Sequence, residues 1–305
     1  MKYDVIIAGG GPAGLAAALA LGRARKRVLL CDAGARRNAA AERVQNFVTR
    51  DGTPPDEFRR VGREQLQKYT SVEVRDVRVR AVRGSRSAFQ IELTEGSVEA
   101  RRLLLCTGMI DQLPPLAGFS ELWGHSIFQC PYCHGFEVQD RRWAYLVRAA
   151  DAPRFVTFAM KLRAWTRDVT LFTNGEVDVS DSDRDRLGSA GIRLETAAVV
   201  RLLRQGERLE AVELANAATV PCDVLFAHPP QRQVELVGAL GLELDEEGCI
   251  RVEPMKRETS VAGVYAAGDA TTRMQGAIFA AAMGTQAATM INTELTVELA
   301  TSGAL

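Results

Sequence analysis

Cys130 and Cys133 are the one close pair among six cysteines, with Pro131 and Tyr132 between them. At that spacing two thiols either close a small disulfide ring or stand open as a dithiol, so the pair can take up or release two electrons. Pro131 suits the first position of a helix, which puts Cys130 at the N-cap. There the positive end of the helix dipole favours a thiolate, the nucleophilic form in disulfide exchange. His134 follows at once and Glu137 lies three residues beyond it. A histidine moves protons near neutral pH, as dithiol oxidation demands, so Cys130, Cys133, His134 and Glu137 form the candidate catalytic set. The plainer reading of His134 is a side chain that caps or packs. A zinc site built from His125, Cys130, Cys133 and His134 would lack a second CxxC or a distant histidine pair, and no metal is expected. Cys31, Cys106, Cys222 and Cys249 read as small core residues.

A second constellation lies near the N-terminus. Gly9-x-Gly11-x-x-Gly14 sits between an apolar run, Tyr3 to Ala8, and an expected helix beginning at Pro12 and Ala13. Such glycines allow a tight turn, close approach of backbone to a pyrophosphate, and close packing of helix on strand. The N–H groups of the helix N-terminus would face the phosphates. Asp32, at the end of the next strand, would accept hydrogen bonds from an adenosine ribose. Strand, helix and acid are in register for a dinucleotide.

The elements that would position these residues alternate between strand and helix. The pattern predicts a helix from Pro12 to Arg25 and strands Arg27 to Cys31 and Leu103 to Cys106. Another helix is expected from about Asp56 to Tyr69, with a small antiparallel sheet over Val72 to Val82 and Ala88 to Leu93. A linker at Pro114-Pro115 and Gly118 precedes a second βαβ pattern: strand Trp143 to Val147, helix from Pro153 to about Trp165, and strand Val169 to Thr173. Further strands are expected at Ile192 to Glu195, Ala198 to Leu203, Glu210 to Leu214 and Val224 to Ala227. Near Asp245 the chain leaves this region, and Gly263 to Asp269 with the following helix reads as a returning piece of the first domain. The fold class is α/β, with two Rossmann-like domains, the second inserted in the first. The expected boundaries are 1–114, 115–246 and 247–305.

The 305 residues include 38 basic and 38 acidic side chains, so neither nucleic acid nor an anionic membrane is an expected partner. In the basic cluster Arg75, Arg78, Arg80, Arg83 and Arg86, Val77 and Val79 interleave with Arg78 and Arg80 at period two, as on a half-buried strand with a solvated face. No apolar stretch reaches the roughly 18 residues of a membrane span. The Ala-rich segment Gly276 to Met290, broken by Gly284, suits a buried helix. With no signal-peptide pattern and cysteines mostly scattered, a cytoplasmic redox protein is expected rather than a disulfide-stapled secreted one.

Across nearly its whole length the chain resembles the thioredoxin reductase branch of the flavoprotein disulfide reductases. Four matches carry the resemblance: the glycine loop, Cys106-Thr107-Gly108, the cysteine pair, and Ala267-Gly268-Asp269. It implies that the dinucleotide is FAD and that the protein is a homodimer. It implies roles for Asp269 on the ribityl chain and for Gln275, Gly276 and Ala277 at the flavin pyrimidine end. It implies Cys133 toward the flavin and Cys130 toward the substrate. The expected cofactor shell also takes in Ala33, Asn46, Val77, Thr107, Gly108 and Gly268.

The chain departs from that family where NADPH should bind. The family has a second glycine fingerprint after the strand read here as Trp143 to Val147, and this sequence has Arg148-Ala149-Ala150-Asp151-Ala152-Pro153. Side chains stand where backbone must approach a pyrophosphate. The basic residues expected after the next strand are replaced by Thr173-Asn174-Gly175. Cys-Pro-Tyr-Cys-His-Gly resembles the motif of dithiol oxidases that close disulfides in natural products such as gliotoxin, holomycin and romidepsin. The expectation is therefore an FAD-dependent, NADPH-independent oxidase of a small dithiol, with O2 as acceptor. The competing expectations are a reductase of a thioredoxin-like protein fed by ferredoxin or another donor, and a non-catalytic flavin-binding sensor. Phe226-Ala227-His228-Pro229-Pro230 replaces a glycine-containing turn of the family.

Overall fold

The computed structural model describes residues 2–34, 36–152 and 154–303. The chain divides into two compact units, 1–111 with 231–305, and 112–230.

In the first unit, Lys2–Ala8 lies at the centre of a seven-stranded sheet. It pairs in parallel with Val28–Cys31 on one side and with the long strand Gly96–Leu105 on the other. Val264–Ala266 also runs parallel to the end of that long strand. Val5, Ile6, Ile7, Leu29, Leu30 and Leu103 to Leu105 are fully buried, as strands covered on both faces must be. The registers bring Ala8 opposite Cys31 and Leu105, and Leu105 opposite Ala266. Four strands therefore end at one edge, and the residues after them, Gly9, Asp32, Cys106-Thr107 and Ala267-Gly268-Asp269, emerge there together.

Two helices meet closely on one face of this sheet. A Cβ on Gly284, in the terminal helix Ala277–Thr301, would lie 2.0 Å from the Ala13 carbonyl oxygen of helix Pro12–Arg23. Gly284 thus marks close backbone packing rather than an interruption of the helix. The far end of the terminal helix is tied to the sheet by Glu298, which accepts from the fully buried Arg102 and, at 2.6 Å, from Ser87. A buried guanidinium left unpaired would cost about 3–5 kcal/mol, so this pair is a requirement of the packing.

Several expected boundaries differ. The Val72 to Val82 run is two strands. Val72–Arg75 joins the parallel sheet beside Val28–Cys31. Only Val79–Arg83 belongs to the antiparallel portion, where it pairs with Phe89–Leu93. That strand pairs in turn with the first half of the long one, Leu93 opposite Gly96 and Phe89 opposite Ala100. The first helix stops at Arg23, with Arg25 at φ 60°, and the second spans Pro55–Leu66. The chain returns to the first unit at Gln231, not at residue 247. Gln231 and Arg232 pair with Asp111 and Ile110, and Leu236, Val237 and Leu242 join the first unit's core.

The second unit is built on a five-stranded parallel sheet in the order Ile192–Glu195, Val169–Phe172, Trp143–Leu146, Val224–Ala227, Ile127–Phe128. A three-stranded antiparallel sheet, Val199–Gln205, Arg208–Leu214 and Thr219–Pro221, accompanies it. Leu146 lies opposite Phe172 and Ala227, and Phe226 opposite Phe128. The cysteine pair, the loop after Leu146 and His228 therefore all follow carboxyl ends of neighbouring strands, the edge at which ligands of open α/β sheets bind. A short 3₁₀ turn, Ala149–Asp151, precedes helix Phe155–Leu162, and Pro153, the expected helix start, lies outside the described residues. Among the described residues no helix is long and apolar enough to cross a membrane.

Candidate functional site

In the first unit the glycine loop is a steric necessity. Gly9 has φ 115°, and a Cβ there would stand 2.1 Å from the Cys106 carbonyl oxygen. One on Gly14 would stand 1.9 Å from the Gly9 carbonyl oxygen, and one on Gly10 would meet Asp32 Oδ2 at 2.1 Å. Gly10, which the spacing motif does not single out, is therefore constrained along with Gly9 and Gly14. Gly11 faces open space, with no atom within 4 Å of its Cβ position. Pro12 and Ala13 open the helix behind the loop.

Asp32 is buried beside this loop, and Oδ1 accepts from the Gly34 N–H at 3.0 Å. Oδ2 accepts from Arg59 Nε at 2.7 Å. Arg59 gives no signal in the sequence, because nothing in the spacing of helix Pro55–Leu66 points to Asp32. Ala33 is exposed directly after it, and Asn46 is exposed with φ 59°. Val77 is buried in the core, so any cofactor contact it makes falls to its backbone. Thr107 Oγ1 is buried without a partner, and Gly108 has φ 64°. An orphaned hydroxyl beside an open glycine turn suits a polar ligand.

Asp269 follows Gly268, whose φ is 79°. Burial pushes the Asp269 carboxyl up, opposed by the Arg37 cation and by the Gly276 backbone N–H. Arg37 grips Asp111 through Nε at 2.8 Å and Nη2 at 3.0 Å, and reaches Asp269 at 3.3 Å and Gln275 Oε1 at 2.6 Å. Gln275 also donates to Gln231 at 2.8 Å, just before Gly276 and Ala277 begin the terminal helix. Arg37, Asp111 and Gln231 are not legible as neighbours, since 74 and 120 positions separate the first and last of them from Asp111.

In the second unit Cys130 is the N-cap of the short helix Pro131–His134, as the position of Pro131 predicts. The two sulfurs lie 2.8 Å apart, with Cys133 Sγ donating to Cys130 Sγ. That hydrogen bond is the main reason the Cys130 thiol is lowered to about 7 against the opposing effect of burial; backbone N–H groups of Cys133 and Tyr132 and the charge of Lys161 add to it. A Cβ on Gly135 would stand 3.0 Å from the Trp165 ring, so the chain leaves the turn in close contact with that side chain.

His134 is stacked on Phe128, ring centroids 4.3 Å apart. Burial holds its proton affinity below the usual histidine value, while hydrogen bonding with the Cys130 backbone pulls the other way. Its Nδ1 is buried without a partner. A neutral ring with an uncommitted nitrogen can accept a proton. Glu137 is exposed.

The loop after Trp143–Leu146 is closed by the chain's own acids. The Arg148 N–H donates to Asp151 Oδ2 at 3.3 Å, and the Ala149 N–H to Glu176 Oε2 at 3.2 Å. Asp151 is only 2% exposed. After the next strand, Asn174 donates to Glu176 at 2.9 Å and accepts from the Val199 N–H at 2.7 Å. His228 Nδ1 lies 3.3 Å from the Tyr145 hydroxyl.

Residues 3–284 match the family model for pyridine nucleotide-disulphide oxidoreductases. The chain belongs to that family. A thioredoxin reductase of Gibberella zeae is 31% identical, over 87% of this chain and 90% of its own. The thioredoxin reductase tcpT of Claviceps purpurea is 31% identical, over 97% and 95%. The crystal structure of HlmI superposes with a TM-score of 0.90 at 36% identity, covering 99% of this chain and 95% of that one. This pyridine nucleotide-disulphide oxidoreductase is thus an FAD flavoprotein acting on disulfides or dithiols. The open glycine turn, the orphaned Thr107 hydroxyl and the half-buried Asp269 are compatible with that cofactor.

Proposed function

We propose that the protein is an FAD-dependent oxidase that closes a disulfide in a small-molecule dithiol, with dioxygen as acceptor and without NADPH. The observation that carries this reading is the loop after Leu146. A nucleotide-binding loop must offer its N–H groups to a pyrophosphate. Here the Arg148 and Ala149 N–H groups are already taken by the carboxylates of Asp151 and Glu176. A pyrophosphate would have to displace them and face their negative charge. The neighbouring Asn174-Gly175 offers no cation for a 2′-phosphate.

In this reading a substrate thiolate attacks the Cys130–Cys133 disulfide at Cys130, and Cys133 leaves as a thiolate. The second substrate thiol then attacks the substrate sulfur of the mixed disulfide and releases Cys130. His134 accepts a proton in the exchange, with Glu137 exposed nearby in sequence. FAD, when bound, would supply the two-electron acceptor for the reduced cysteine pair. Gly9, Gly11, Gly14, Asp32, Thr107 and Asp269 would hold that cofactor. A homodimer is the expected assembly.

Oxygen consumption tests the reading. With dithiothreitol as a probe dithiol, one O2 disappears and one H2O2 appears for each disulfide closed, and NADPH alone drives no uptake. Disulfide formation without oxygen uptake would count against it. The names of the relatives favour a second reading, reduction of a thioredoxin. Turnover of thioredoxin with reduced ferredoxin, and none with small dithiols, would establish that one instead.

A further inference from the structure

Lys161 sits on helix Phe155–Leu162 and is half-buried. Its ammonium lies 4.4 Å from the Phe158 ring centroid and 5.6 Å from that of Tyr132, the residue between Pro131 and Cys133. Both rings are fixed in turn. Phe158 packs against Tyr145 at 4.6 Å and His228 at 4.6 Å, and Tyr132 meets Trp165 edge-on at 5.2 Å. Among the described residues no carboxylate lies within ion-pair distance of Lys161. Partial burial lowers the proton affinity of the Lys161 ammonium, and the charge of Cys130 opposes that effect. Cys130 shares its turn with Cys133 and His134, and Lys161 approaches that turn from helix Phe155–Leu162 over the Tyr132 ring.

We propose that Lys161 is the counter-ion of the Cys130 thiolate and thereby makes the cysteine pair a stronger oxidant. The inference deepens the dithiol-oxidase reading and rests on it for its direction. The substrate dithiol gives up two electrons and two protons as its S–S bond forms. The enzyme disulfide takes both electrons as its own S–S bond breaks. Cys133 keeps one proton, Cys130 remains a thiolate, and the other proton passes to solvent. Lys161 stabilises only the reduced, charged product, so it draws the exchange toward substrate oxidation. A dithiol whose reduced form is stabilised in this way belongs to an oxidising couple.

The test uses the flavin-loaded enzyme and its Lys161→Met and Lys161→Arg variants. After reduction, alkylation of Cys130 by iodoacetamide is followed against pH, and the dithiol–disulfide equilibrium is read in glutathione buffers. Lys161→Met is expected to lower the thiolate fraction at pH 6 about three- to tenfold, within the range of a partly desolvated charge pair. The equilibrium constant should shift toward disulfide by a similar factor, a tenfold change being about 30 mV for two electrons. Lys161→Arg should restore both. Unchanged alkylation and equilibrium in a folded, flavin-bound Lys161→Met protein would overturn the proposal. Because neither readout depends on the physiological electron acceptor, failure of the oxidase reading alone would leave both shifts in place.

Discussion

Replacing Cys130 with serine is expected to reduce dithiol oxidation by about 10³-fold or more, since removal of a reacting nucleophile removes the pathway itself. A serine hydroxyl cannot form the mixed disulfide. Cys133→Ser should be equally inactive but chemically distinguishable. It retains Cys130, whose thiol is lowered to about 7 and stands at the helix N-cap. Ellman's reagent should therefore form one stable mixed disulfide at that position, located by mass spectrometry of the digested protein. In Cys133→Ala the Cys130 thiol loses the Sγ donor 2.8 Å away altogether, so its reaction should require higher pH than in the wild type. Equal turnover in Cys130→Ser and wild type would remove the cysteine pair from the mechanism.

His134→Gln is expected to cost about 10²-fold at pH 7, the lower range for loss of a positioned acid–base group. Burial lowers the proton affinity of His134, so the ring is neutral at pH 7 and can accept a proton. Below its folded value, which lies under 6.5, the ring is charged and that capacity is lost. The wild-type rate should show this as an acid limb, absent from His134→Gln, in a pH profile of kcat/KM. The same burial has a stability consequence. The neutral form is fully favourable above the unfolded value near 6.5, and stability falls as pH drops from there through the lower folded value. The glutamine variant lacks that loss, which thermal unfolding at pH 5 and pH 7 would show.

The glycine loop is legible in the sequence because its requirements are local and steric: Gly9 and Gly14 exclude a Cβ by contact with residues fixed by the sheet edge and the turn itself. The cysteine pair is legible because Pro131 fixes the helix start beside it. Other features depend on long-range placement. Lys161 is one lysine on a separate helix, and only the folded packing brings it over the ring of Tyr132, between the two cysteines in sequence. Arg37 meets Asp111 and Asp269 because strands far apart in sequence end at one edge. The absence of glycine after Leu146 can be read directly, whereas the capture of the loop's N–H groups by Asp151 and Glu176 cannot. The early return of the chain at Gln231 rests on a two-residue pairing, too short to leave a periodic pattern.

Anaerobic mixing in a stopped-flow spectrometer reads most directly which reductant reaches the cofactor. If the chain's own acids keep the nucleotide out of the second unit, a small dithiol bleaches the flavin absorbance and NADPH at micromolar concentration leaves it unchanged. Rapid bleaching by NADPH, with none by the dithiol, would contradict the account.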